Sequence, residues 1–73
     1  MADNSLVKKS KLTKYREDNL VSKAELSRKA GISPITLGRI ERGYPCRIDT
    51  KRKILQALGL EIKQKHLVFE EEA

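Results

Sequence analysis

The chain has little of the chemistry on which many small metal-binding or disulfide-linked proteins depend. It contains no tryptophan, one phenylalanine, one cysteine and one histidine. A single cysteine cannot form an intramolecular disulfide, which is typical of proteins in the reducing cytoplasm. Cys46 and His66 are the only soft ligands, whereas a structural zinc site needs four. We therefore expect no metal, no cofactor and a cytoplasmic location.

Long apolar segments and the usual signatures of catalysis are also lacking. No apolar run approaches the roughly 20 residues that span a membrane, and none follows Met1 as it would in a secretory signal. The chain shows no paired carboxylates, no histidine-centred cluster and no glycine-rich loop that could cradle a phosphate. We expect no membrane association, no small-molecule ligand and no enzymatic activity.

Acidic residues are scarce outside one short cluster. Three of the ten acids are adjacent at positions 70–72, so residues 1–69 hold sixteen lysines and arginines against seven acids. The formal net charge of +6 for the whole chain therefore understates how basic the body of the protein is. Such a charge is typical of proteins that bind nucleic acid, although it also serves solubility alone. At 73 residues the chain forms one domain with a small core.

A flexible basic arm is predicted over residues 1–10, followed by a first helix. That helix runs from about residue 11 to residue 19 and turns Leu12 and Tyr15 inward, because apolar positions three apart share a helix face. Leu20 and Val21 are then expected to cover the edge of the core.

The region after residue 44 is predicted to contain a fourth helix and a weaker final element. The fourth helix begins near Asp49 or Thr50, either of which can cap it. Its buried stripe is Ile54, Leu55 and Leu58. After Gly59, residues 61–66 fit a short fifth helix or an extended strand, with Leu60 and Ile62 buried. The expected domain spans residues 11–66, and residues 67–73 form an apolar and acidic tail.

Residues 22–43 carry the strongest local signal, which is two short helices joined by a tight turn. Ser22 and Glu25 have the spacing of a capping box at the start of the second helix. Gly31 stands where a helix ends in the left-handed conformation. Two capped helices around so short a turn are typical of a helix-turn-helix.

The third helix combines a side that faces the core with an unusual solvent side. Ser33 and Pro34 are favoured as its cap and first residue, and Leu37 and Ile40 point to the core. The solvent side carries Ile35, Gly38, Arg39 and Arg42. An apolar side chain beside two arginines, on a side that the core does not need, fits the floor of a DNA major groove.

These elements predict an all-α fold, a compact bundle of four to five short helices. At these residues the chain resembles the Cro/phage-repressor family of bacterial transcription regulators, also called XRE-like. The resemblance covers roughly residues 11–62, and the matching residues are Glu25, Leu26, Gly31, Ile32, Ser33, Ile40, Glu41, Gly43 and Ala-Leu-Gly-Leu at 57–60. It implies a repressor-like domain that places its third helix in the major groove of double-stranded DNA, often as a homodimer.

Three residues depart from the family pattern. Lys23 stands where glutamine is frequent, which keeps a phosphate contact but loses the amide that braces a neighbouring base contact. Ser27 replaces a frequent alanine and is still small. Gly38 stands where serine or a larger polar residue is usual. It either lets the helix backbone approach DNA closely or is simply tolerated at an exposed position.

Four residues of the third helix are predicted to contact bases: Pro34, Ile35, Gly38 and Arg39. The guanidinium of Arg39 matches O6 and N7 of guanine, although a surface arginine paired with an acid also fits its position. Ile35 fits against a thymine methyl group or against the loop after its own helix.

Seven residues are predicted to contact phosphates: Lys23, Ser33, Thr36, Arg42, Arg47, Lys51 and Arg52. The two hydroxyls lie at the start of the third helix, and the five basic side chains would orient the domain without contributing specificity. The resemblance further implies that Arg16 and Glu41 form a structural ion pair, which ties the first helix to the end of the third.

A protein-interaction module is the alternative function. Small helix-turn-helix proteins also serve as antitoxins or adaptors whose tail binds a partner, and the apolar residues 67–69 could supply such an anchor. The C-terminal segment is long enough for a small dimer surface, so a monomer and a homodimer both fit the sequence.

Overall fold

The computed structural model describes residues 9–69, which form four α-helices followed by a 3₁₀ helix. The α-helices are α1 (Lys11–Asp18), α2 (Lys23–Ala30), α3 (Pro34–Glu41) and α4 (Ile48–Ala57), and the 3₁₀ helix spans Ile62–Leu67. This part of the chain contains no strand, so the all-α prediction is confirmed. Most of the predicted arm and the whole acidic cluster lie outside the described residues.

Serine side chains cap the first three helices. The hydroxyls of Ser10, Ser22 and Ser33 each accept a hydrogen bond from the backbone N–H three residues later, at 3.1, 3.0 and 3.0 Å. Each bond satisfies an amide that a helix N-terminus otherwise leaves unpaired. Only this half of the predicted capping box forms at α2, because the Glu25 carboxylate contacts Lys29 at 3.3 Å instead.

Helix α4 begins before the predicted position and has no side-chain cap. Its cap residue is Arg47, whose extended backbone has φ −66° and ψ 152° and whose side chain makes no capping bond. Asp49, one of the two predicted caps, lies in the first turn, where a negative charge is favourable to the helix dipole. The prediction of a cap at Asp49 or Thr50 is therefore wrong.

The same hydrogen-bond pattern ends all four α-helices. Two successive backbone N–H groups bond back into the last turn; after α2, for example, Gly31 bonds to Arg28 at 3.2 Å and Ile32 to Ser27 at 3.0 Å. The pattern needs a left-handed residue, which is a glycine after α2, α3 and α4. After α1 that residue is Leu20, with φ 59°.

The left-handed turn at Leu20 directs its side chain into solvent, where it is 92% exposed. The prediction that Leu20 covers the core is therefore wrong. Val21, the next residue, packs against the core as predicted.

The core takes side chains from every α-helix and from the segment after the 3₁₀ helix. Its fully buried members are Leu12, Leu26, Leu37, Ile54 and Val68. Helix α2 packs against both α3 and α4, and its small Ser27 is 2% exposed.

The C-terminal segment corrects one expectation. Ile62 is 56% exposed rather than buried, because the 3₁₀ helix contributes no buried residue. The chain reaches the core only afterwards, at Val68, which is 1% exposed. Leu58 and Leu60 are partly buried and pack at the edge of the core. Phe69, the next residue, is partly buried and also packs against the core.

Candidate nucleic-acid interface

Helix α3 has two chemically distinct sides. Leu37, Ile40 and Glu41 are buried, whereas Ile35 is 70% exposed and Arg39 is also exposed. Ile35 and Arg39 are four residues apart, so they share one side of the helix. Because Ile35 is not among the side chains packed against the core, this apolar side chain is presented to solvent beside an arginine.

Arg39 has no acidic partner in the described part of the chain. Among residues 9–69, no carboxylate oxygen lies within 4.0 Å of its guanidinium. The backbone carbonyl of Arg39 accepts bonds from the amides of Arg42 and Tyr44, at 3.0 and 3.1 Å. The main chain is therefore fixed at this position, and within residues 9–69 the five guanidinium donors have no acidic partner.

The start of α3 is held by hydroxyl groups that bond to each other. The Ser33 hydroxyl accepts from the Thr36 amide at 3.0 Å and donates to the Thr36 hydroxyl at 2.9 Å. The Thr36 amide is thus already used, and the hydrogen of the Thr36 hydroxyl is left to donate outward. Pro34 occupies the first helical position and is exposed.

A buried ion pair fixes the other end of α3. Nε of Arg16 lies 2.7 Å from Oε2 of Glu41, and a second guanidinium nitrogen lies 3.4 Å from Oε1. The third donor bonds to the carbonyl of Val21 at 2.9 Å. The side chains of the pair are only 9% and 4% exposed. This is the pair that the resemblance implied, and it ties α1 and the turn before α2 to α3.

Lys23 is drawn towards the same pair. Its Nζ lies 3.8 Å from Oε1 of Glu41, while its side chain remains 54% exposed. One carboxylate therefore faces two basic groups, and the cluster of three carries a net positive charge. The predicted phosphate contact of Lys23 would be made from this cluster.

The other basic residues predicted to contact phosphates lie after α3 and at the start of α4. Arg42 is the C-cap of α3 and Arg47 the N-cap of α4, and both are exposed, as is Arg52. Lys51 differs from them because its Nζ lies 5.5 Å from the centre of the Phe69 ring, within the range of a cation–π contact. Lys51 therefore also has a structural contact, which sequence spacing alone did not indicate.

A cleft of about 220 Å³ separates the loop after α3 from the C-terminal segment. Tyr44, Cys46, Lys51 and Phe69 are among its lining residues. It is smaller than the roughly 300–1,000 Å³ of typical small-molecule sites. Burial raises the pKa of the Cys46 thiol, which keeps it protonated and a poor nucleophile. Tyr44 is 58% exposed at the rim.

Residues 9–69 contain neither a cluster of metal ligands nor a helix that could span a membrane. No group of three or more histidine, cysteine, aspartate or glutamate side chains there could hold a metal ion. The longest helix of this region has ten residues, and none could cross a membrane.

One comparison with known proteins places the chain. A family model described as helix-turn-helix, of the Cro/C1 type, matches residues 12–64, which is well over half of the chain. No curated protein and no solved structure matches. The matched region contains all four α-helices except the first residue of α1.

Proposed function

Because the chain belongs to the Cro/C1-type helix-turn-helix family of DNA-binding regulators, we propose that it is a sequence-specific regulator of transcription that binds double-stranded DNA. Helix α3 lies in the major groove, and its base contacts come from Pro34, Ile35, Gly38 and Arg39. The observation that carries this proposal is the exposure of Ile35 and Arg39 on a helix whose opposite side is buried.

Affinity and specificity would come from different residues. Phosphate contacts supply most of the affinity and fix the register, whereas base edges supply the specificity. The phosphate contacts assigned to the site are those of Lys23, Ser33, Thr36, Arg42, Arg47, Lys51 and Arg52. Because each neutralised phosphate releases counterions, affinity should fall steeply with salt concentration.

The test begins with selection of bound sites from random DNA duplexes. Arg39→Ala is then expected to cost about 1–3 kcal/mol at one base pair and to relax the preference there. Its matched control is Arg52→Ala, which removes an exposed arginine from α4. That control should weaken binding to all duplexes alike and reduce the salt dependence.

Two results would contradict the proposal. If selection enriches no sequence, binding is not specific. If Arg39→Ala weakens all duplexes as uniformly as Arg52→Ala does, Arg39 contacts phosphate rather than a base. Lys51→Ala is the poorer control because Lys51 also contacts Phe69.

We also propose that the domain binds its site as a homodimer. Ile62 and Leu67 of the 3₁₀ helix are 56% and 40% exposed, so apolar surface is available for a second copy. A palindromic selected site would support a dimer, because half-sites mirror the two-fold symmetry of the protein. A single asymmetric site bound at one protein per duplex would exclude it.

The alternative of a partner-binding tail is weakened by the position of Val68. This residue is the middle one of the apolar segment 67–69, and its side chain is 1% exposed within the core. A partner that used it as an anchor would have to remove it from the core. We therefore favour DNA, rather than a protein partner, as the ligand of this domain.

A further inference from the structure

Gly38 is the one glycine of residues 9–69 that the fold does not explain. It lies inside α3, and its backbone is not in the left-handed region. The other three glycines follow helices and have φ values of 72°, 97° and 75°. A Cβ added at Gly38 would meet no atom within 4 Å, so neither backbone conformation nor packing requires a glycine there.

A glycine in this position weakens the helix. Glycine is less favourable than alanine inside a helix because it loses more backbone freedom on folding. Within the described residues, nothing in the protein offsets that loss. The benefit therefore has to be sought outside the chain, on the surface to which Gly38 belongs.

Gly38 is half-buried and borders the exposed side of α3, and the space beside it is open. Ile35 is three residues before it and Arg42 four residues after it, so the gap lies between an apolar side chain and an exposed arginine. The carbonyl of Gly38 accepts a bond from the Arg42 amide at 3.1 Å. Its amide lies inside the helix, where it is used by the helical hydrogen bonds.

A gap of this kind favours an apolar group. With its backbone groups already used, Gly38 presents only CH₂ to a ligand, and Ile35 extends that apolar surface. The C5-methyl of thymine is the apolar group that base pairs present in the major groove. The other base-edge groups there are hydrogen-bond donors and acceptors, and the gap would leave them unpaired.

We propose that Gly38 is a specificity determinant, and that the space left by its missing side chain receives the methyl group of one thymine. This inference rests on the proposed function, since it requires α3 to lie in the major groove. It specifies which base, and which group of that base, the protein recognises.

The experiment is a cycle that adds a methyl to the protein and removes one from the DNA. Each thymine of the selected site is replaced in turn by deoxyuridine, which lacks only the C5-methyl. Each duplex is titrated with the wild-type protein and with Gly38→Ala. Gln56→Ala, at an exposed position of α4, is the control variant.

At one thymine, we expect wild-type affinity to fall about fourfold on deoxyuridine, the effect of losing one buried methyl. Gly38→Ala should bind the thymine duplex about tenfold more weakly than wild type, a loss within the usual range for a mismatched contact. On the duplex with deoxyuridine at that position, the affinity of Gly38→Ala should approach the affinity of wild type for the same duplex. The control should follow wild type on every duplex.

Thermal unfolding separates a steric effect from damage to the fold. Gly38→Ala should melt about 4 °C higher than wild type, since alanine favours the helix. If Gly38→Ala is more stable than wild type and yet binds DNA more weakly, the loss of affinity arises at the interface with DNA.

Two outcomes would overturn the inference while leaving the proposed function intact. Gly38→Ala could bind the selected site as tightly as wild type, or it could lose the same affinity on thymine and deoxyuridine at every position. If selection from random duplexes enriches no site, the proposed function fails and the inference fails with it.

Discussion

At the scale of single residues, Leu20 shows the cost of a side chain in an unfavourable backbone conformation. It occupies the position that glycine fills after the other three α-helices, with φ 59° and 92% exposure. A left-handed backbone costs residues other than glycine roughly 1–2 kcal/mol. An exposed side chain recovers little of that through burial.

We therefore expect Leu20→Gly to stabilise the protein. The relief of left-handed strain exceeds the entropy that glycine loses on folding, and the net gain should be about 1 kcal/mol in the free energy of unfolding. Urea denaturation measures it. The matched control is Gly59→Leu, which places leucine at the equivalent position after α4, where the added Cβ has open space, and which should destabilise the protein.

A loss of stability in Leu20→Gly would contradict this account. It would mean that the Leu20 side chain contributes more to the native state than its exposure indicates.

At the scale of elements, the pose of α3 depends on the buried pair of Arg16 and Glu41. All three hydrogen-bonding nitrogens of the guanidinium are used, two by the carboxylate and one by the Val21 carbonyl. No buried side-chain nitrogen or oxygen in the described residues lacks a partner. Removing the Glu41 charge would leave the Arg16 guanidinium buried without a counter-charge, which costs more than the intact pair contributes.

Glu41→Gln is expected to lower the free energy of unfolding by about 3–5 kcal/mol. For a domain of this size that loss approaches the whole stability, so circular dichroism should show a largely unfolded population at 37 °C. The matched control is Glu25→Gln. Its pair with Lys29 is a 3.3 Å contact between partly exposed side chains, so the same substitution there should cost only about 0.5 kcal/mol or less.

A double variant distinguishes an unpaired charge from a lost contact. Arg16→Met combined with Glu41→Leu removes both charges and should recover most of the stability lost by Glu41→Gln, because no charge is left buried. If the double variant is as unstable as the single one, the pair itself stabilises the fold. The pair would then do more than avoid an unpaired buried charge.

The elements that sequence predicted well are those whose signals are local. The caps Ser22 and Ser33, Pro34 and the helix-ending Gly31 act within one helical turn, and the two-sided pattern of α3 is contained in eight residues. The start of α4 was mispredicted because a cap contributes only about 1 kcal/mol. Packing of Ile54 and Leu55 in the core decides where that helix lies.

At the scale of the whole molecule, the contacts that sequence did not predict join distant residues. Ile62 and Val68 are similar in hydrophobicity, yet only Val68 is buried, since the choice depends on how the 3₁₀ helix meets α1 and α4. The contact of Lys51 with Phe69 and that of Lys23 with Glu41 depend on the assembled fold in the same way. The buried and exposed sides of α3 therefore followed from the sequence, whereas the contacts around that helix did not.

Truncation tests where the domain ends. A chain that ends at His66, the limit expected from the sequence, loses Val68 from the core and Phe69 from its contact with Lys51. Burial of a valine side chain contributes about 1.5–3 kcal/mol, so this chain should unfold at a clearly lower urea concentration. A chain that ends at Phe69 keeps both contacts, so it should unfold at a higher urea concentration than the chain that ends at His66. Equal stability of the two chains would show that Val68 contributes nothing to the core, and the boundary expected after residue 66 would then stand.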